Sequence, residues 1–255
     1  MTTLYHLSGA GLLCITGTDA IKFMQGYVTC DLTKLQDGDT AIGAVCNLQG
    51  RMLTSFLALR SGQDLWFRMQ RSLVPSTLEF LKKYIVFSKA ELHDNSDSYV
   101  CYGSLDHSTE TLSDGFIIEL HNRKEIWSPS VFSAETNIGP WQDAEYSAGI
   151  AWVSETSQAE YLPQMFNYHN QDGIDFEKGC YLGQEIIARA QYRGELKRRL
   201  HRLTSAKARD IGEELDCGSV VATAPSGQLA VLKNTTNQPI TAKFKDGECV
   251  EAKPC

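Results

Sequence analysis

The chain has 255 residues, 42% apolar and 22% charged, so it is expected to fold into two or three packed units rather than stay disordered. Its 24 Lys and Arg against 31 Asp and Glu leave a net charge of −7, which argues against a basic nucleic-acid coat and against direct nucleic-acid binding. No stretch approaches the roughly 20 apolar residues of a membrane span and the first residues show no secretory pattern, so a cytoplasmic protein with no membrane partner is expected.

In chain order, residues 12–17 read as a strand and 19–25 as a short helix, capped by Thr18 or Asp19 and ended by Gly26 at positive φ. Apolar runs at 41–46, 52–59 and 65–69 predict an antiparallel meander, with the turn Asn47-Leu-Gln-Gly-Arg51 joining the first two. Leu73, Thr77, Leu78, Leu81 and Tyr84 recur at helical intervals and predict a helix over 72–84, with Lys82 and Lys83 in its last turn. Weaker strand signals stand at 98–104 and 116–120, separated by the polar loop 106–115. Beyond Glu195, short strands at 200–205, 219–223, 228–232 and 240–244 alternate with Gly, Asn and Pro, as in a small β-barrel or sandwich. The expected organisation is an α+β region over 1–195 followed by a C-terminal β-barrel over 196–255.

Eight cysteines without a Cys-x-x-Cys pair suggest reduced thiols and no resident metal. Gly9-Ala-Gly11 begins like a dinucleotide fingerprint, but Cys14 stands at the third glycine position and a strand follows instead of a helix. The chain contains no Walker loop, no His-Glu-x-x-His and no Gly-x-Ser-x-Gly elbow.

Chemistry concentrates in Lys178-Gly-Cys-Tyr-Leu-Gly-Gln-Glu185. Cys180 lies in a glycine-flanked turn ahead of a run from Glu185 that reads as a helix. The positive end of the helix dipole and the nearby Lys178 would favour its thiolate. A buried, inert thiol, with the glycines serving only close packing, is the other reading. Downstream, Arg189, Arg193, Lys197, Arg198, Arg199 and Arg202 oppose only Glu195. Arg189 and Arg193, four apart on a helix, can hold a carboxylate or phosphate or else form part of a solvated strip.

This motif, with Ala188-Arg189 and Tyr192-Arg-Gly194, resembles the signature of the YgfZ family of folate-binding proteins, relatives of the aminomethyltransferase T-protein of the glycine cleavage system. Ile15-Thr-Gly17, Met24-Gln-Gly26, Thr29-Cys-Asp31, the 47–51 turn, residues 81–89, Leu162-Pro-Gln164 and Asn167 are similar to the family pattern as well. The resemblance implies ferredoxin-like α+β parts and a small C-terminal β-barrel, arranged as a ring around a central channel for tetrahydrofolate or a derivative. It also implies support of iron–sulfur cluster assembly or repair, and thereby of tRNA modification, with Cys180 as the functional thiol. The implied partners are folate and iron–sulfur proteins or assembly factors such as tRNA-thiolating enzymes.

A folate site needs aromatic surface, polar groups at the pterin edge and cations for the glutamate tail. The resemblance assigns these roles to Trp141, Lys178, Tyr181, Gln184, Glu185, Arg189, Tyr192 and Arg193, with Ala10 and Ser147 standing where relatives often carry Trp and Glu. A non-enzymatic accessory factor is the expected reading. The alternative is a folate-dependent one-carbon transferase using Asp31 or Asp175 near the folate N5 and N10.

Overall fold

The structure, a computed structural model, describes residues 3–106, 114–120, 122–194, 196–234, 236 and 238–255. The chain runs through β1 (Leu4–His6), β2 (Ala10–Thr16), α1 (Ala20–Gln25), β3 (Thr40–Cys46), β4 (Met52–Ser61), β5 (Asp64–Gln70) and α2 (Val74–Lys82). There follow β6 (Glu91–Asp94), β7 (Val100–Ser104), β8 (Phe116–Leu120), β9 (Arg123–Ser128), α3 (Gly139–Ala148) and α4 (Gln184–Tyr192). The last part holds β10 (Arg198–Leu203), β11 (Glu214–Leu215), β12 (Gly218–Ala224), β13 (Gly227–Lys233), β14 (Ile240–Lys243) and β15 (Cys249–Pro254).

These strands form three antiparallel sheets, ordered β3-β4-β5-β2-β6, β1-β7-β9-β8 and β11-β12-β13-β10-β15-β14. The first contains the expected meander, extended by β2 pairing with β5. In the third, a bridge between Leu215 and Phe244 joins the two edges, so the sheet curls into a nearly closed barrel around Leu203, Leu232 and Phe244. The α+β class with a small C-terminal barrel is therefore observed.

Strand β2 shows why its apolar run is continuous. Successive side chains point to opposite faces, and here both faces are covered. Leu13 and Ile15 enter a core with Phe23, Met24, Val74 and Leu81 of α1 and α2. Leu12 and Cys14 enter another with Leu57, Trp127 and Trp141, which glues the first sheet to the second. A third core packs Cys46 and Met52 against Phe166, Tyr168, Ile187 and the barrel residues Leu200, Leu229 and Val231.

Buried charge ties the first two sheets together. Arg68 of β5 lies 2.9 Å from Glu125 of β9, with side chains 7% and 0% exposed. Glu125 Oε2 also accepts from Trp127 Nε1 at 3.2 Å. Glu145 of α3 stands 4.0 Å from both Arg68 and Arg123.

Several sequence expectations change. Gly26 closes α1 with φ −80°, not a positive value, because its N–H reaches Phe23 O while the chain stays in the right-handed region. Asp19 stands at the N-cap, but its carboxylate accepts from Lys89 N–H rather than capping the helix. The helix over 72–84 contracts to Val74–Lys82: Pro75 occupies its first turn, residues 71–73 form a 3-10 turn, and Tyr84 leads into a second. Strand β9, RKEIWS, was missed because three consecutive charged residues read as surface, yet all six are buried. Helix α3 was missed too. The expected loop over 106–115 lies partly, and Glu195 with the expected 195/196 boundary wholly, outside the described residues. Among the described residues no helix is long and apolar enough to cross a membrane.

Removing one member of a buried ion pair strands the other charge, so Glu125→Leu is expected to lower the unfolding free energy by about 3–5 kcal/mol in urea titrations. The double variant Arg68→Met/Glu125→Leu is expected to recover much of that loss. Equal losses in the single and double variants would contradict this account of the interface.

Candidate functional site

The site is built by two loops stitched together. Lys178 is 7% exposed and turns its ammonium inward, donating to the carbonyls of Val28 at 2.8 Å and Cys30 at 2.7 Å. Its Nζ also lies 5.0 Å from the centre of the Tyr181 ring. Burial disfavours the ammonium and brings its pKa down to about 8. Thr29 Oγ1 donates to Gly173 O at 2.6 Å and Asp175 N donates to Thr29 O at 2.9 Å, closing the seam.

The start of α4 docks on the 47–51 turn. Gly183 takes φ +83°, and a Cβ there would lie 2.5 Å from Asn47 O and 3.0 Å from Gly50 Cα, so only glycine allows this approach. Asn47 Oδ1 holds the turn by accepting from the N–H groups of Gln49 and Arg51.

This stitching places Asp31 and Asp175 on the wall of a cavity of about 1070 Å³. Lys34 Nζ bridges them, 2.5 Å from Asp175 and 3.8 Å from Asp31. Burial pushes the Asp31 carboxyl up, but hydrogen bonds from Thr33 and Gln25 outweigh it and hold the pKa below the ordinary value. Asp175 is likewise raised by burial and lowered further by Lys34 and by the N–H groups of Glu177 and Lys178. Both carboxylates are thus ionised acceptors at neutral pH.

The cavity has two aromatic surfaces. One is Trp152, whose Nε1 donates to Glu145 at 2.8 Å and whose ring lies 4.3 Å beneath the Arg68 guanidinium. The other is Phe176 with Tyr192, edge to face at 5.7 Å between centroids. Ile42, Leu57 and Ile150 add apolar wall and Arg123 a cation.

The residues expected from sequence separate into three groups. Tyr192 lines the cavity. Trp141 does not: it is 2% exposed, packed on Gly103 and 5.2 Å from Arg123, so it serves the core. Lys178 and Tyr181 are buried in the loop seam rather than facing the cavity. Gln184 lies in the first turn of α4, while Glu185, Arg189 and Arg193 are exposed on or beside that helix. Cys180 is exposed, three residues before the N-cap Gly183. The Lys178 ammonium is spent on the carbonyls of Val28 and Cys30, and Cys180 lies ahead of the first turn of α4.

Trp152, Phe176, Lys34 and Arg123 were missed. Phe176 stands two residues before Lys178 and Trp152 three after Gly149, so nearness to the motifs was the available signal.

No family model matches the chain. An uncharacterized protein of Haemophilus influenzae is 31% identical over 85% of this chain and 79% of its own length. The tRNA-modifying protein YgfZ of Yersinia enterocolitica is 28% identical, covering 84% of this chain and 75% of the relative. The same figures hold for the tRNA-modifying protein YgfZ of Yersinia pestis. Among solved structures, glycine cleavage system aminomethyltransferase T from Bartonella henselae superposes with a TM-score of 0.76 over 99% of this chain and 84% of that one. At 12% identity this likeness is one of fold. With its motifs, its relatives and its fold in agreement, the chain belongs to the YgfZ family.

Proposed function

We propose that this protein binds a tetrahydrofolate in the large cavity and acts as a cytoplasmic accessory factor for iron–sulfur cluster assembly or repair, and thereby for tRNA modification, with Cys180 as its functional thiol. The cavity carries the first half of this reading. Its volume of about 1070 Å³ suits a ligand of folate size. Trp152 and the Phe176–Tyr192 pair offer surfaces for the pterin and aminobenzoyl rings. A pterin presents adjacent N–H donors at its edge, and the ionised Asp31 and Asp175 are acceptors for them. Lys34 and Arg123 supply cations for the glutamate carboxylates.

The second half rests on the tRNA-modifying name of the relatives and on the motif thiol. Cys180 does not line the cavity, which supports separate roles for folate binding and for the thiol. The rival one-carbon transferase needs a group that exchanges a proton near neutral pH. Asp31 and Asp175 both sit below the ordinary carboxylate range, which favours binding over proton transfer.

Titration with 5-formyltetrahydrofolate is expected to give a saturable change in Trp fluorescence that Trp152→Phe largely abolishes. A flat wild-type titration would remove the folate site, and an undiminished change in the variant would move it away from Trp152. Cys180→Ala is expected to bind folate with unchanged affinity yet fail to support an iron–sulfur tRNA-thiolating enzyme in cells. Full support by that variant would take the thiol out of the function.

A further inference from the structure

Exposed apolar side chains gather on both sides of the loop that bears Cys180. On one side, the 3-10 turn Ile85–Phe87 after α2 leaves Phe87 100% and Val86 72% exposed, with Tyr84 exposed just ahead of them. The Tyr84 ring lies 5.0 Å from that of Tyr27, and the Gly26 carbonyl next to Tyr27 accepts from Leu182 N–H at 3.0 Å. Leu182 is two residues beyond Cys180, so the apolar turn and the thiol are carried by touching segments. On the other side, Leu48 of the 47–51 turn is 70% exposed. That turn meets α4 at the exposed Ile186, whose Cβ would lie 3.2 Å from a Cβ on Gly50. None of these apolar residues lines the large cavity. Burying a Phe is among the larger gains open to a side chain, and apolar groups left in water around one loop mark a surface that another molecule covers.

Charge narrows the choice of occupant. The stretch Lys82-Lys-Tyr-Ile-Val-Phe-Ser-Lys89 holds three lysines and no carboxylate, in a protein of net charge −7. All three lysines are exposed, and none is in an ion pair among the described residues. The Asp19 carboxylate reaches this stretch but accepts from the Lys89 backbone N–H at 2.9 Å. An occupant edged by carboxylates complements such a rim. A second copy joined by a twofold axis would bring the lysine-edged patch against itself. An anionic lipid surface would meet the exposed Glu185 beside Ile186 with like charge.

We propose that this face docks an iron–sulfur partner protein whose contact surface is apolar at its centre and edged by carboxylates that meet Lys82, Lys83 and Lys89. The inference rests on the accessory-factor reading above and adds the surface that brings the partner to Cys180.

The test measures binding of a purified iron–sulfur tRNA-thiolating enzyme, its cluster in place, to the full-length protein. Phe87→Ser is expected to weaken binding at least about tenfold. Lys82→Glu/Lys83→Glu is expected to weaken it about tenfold at low salt, with the loss shrinking as ionic strength rises. Both variants should bind 5-formyltetrahydrofolate like the wild type, which shows that they are folded, and both should fail to support tRNA thiolation in cells. Wild-type support by both variants, where Cys180→Ala fails, would overturn the docking face and leave the functional reading intact. Full support by Cys180→Ala as well would overturn the two together. No binding of the enzyme to the wild type would overturn the docking face. So would a wild-type dimer in sedimentation that Phe87→Ser dissociates, or wild-type flotation with phosphatidylglycerol vesicles that Phe87→Ser loses, since either assigns the face to another occupant.

Discussion

The pairing of Arg68 with Glu125 is the constraint around which this molecule is arranged. Two full charges sit inside the interface between the first and second sheets, where each alone would cost several kcal/mol. They are tolerable only if β5 and β9 meet in one alignment. That alignment brings Glu145 to 4.0 Å from Arg68 and Arg123, and Glu145 in turn holds the Trp152 indole N–H. A wall of the large cavity is therefore set by charges from three separate parts of the chain.

The KGCYLGQE stretch contributes chiefly as architecture. Lys178 clamps the 28–30 segment, Gly183 lets the 47–51 turn press against α4, and Tyr181 fills the core behind them. The chemical consequence lies next door. Asp175 lines the cavity and its Oδ1 also accepts from the N–H groups of Glu177 and Lys178, so one carboxylate serves both the site wall and the turn leading to Cys180. Of the motif side chains, the Cys180 thiol and the Glu185 carboxylate are the ones that stand exposed.

Legibility followed the range of the interactions. Strands β2 to β5 were readable because their apolar runs record burial directly. Strand β9 was not, since its charges look like surface until Arg68 and Glu145 are placed beside them. A local pattern likewise cannot distinguish Trp141 from Trp152: one packs on Gly103 in the core, the other lines the cavity.

By itself the sequence determined the α+β class, the barrel-forming strands near the C-terminus and the motif whose likeness names the family, because apolar periodicity, turn residues and an unusual residue string are local properties. Only the tertiary structure decided where those residues act. It turned Lys178 from a cation beside a thiol into a buried clamp and drew Asp31, Asp175, Trp152 and Tyr192 onto one cavity. Such outcomes depend on which distant groups share a desolvated space, and no single stretch of chain encodes its partners' positions.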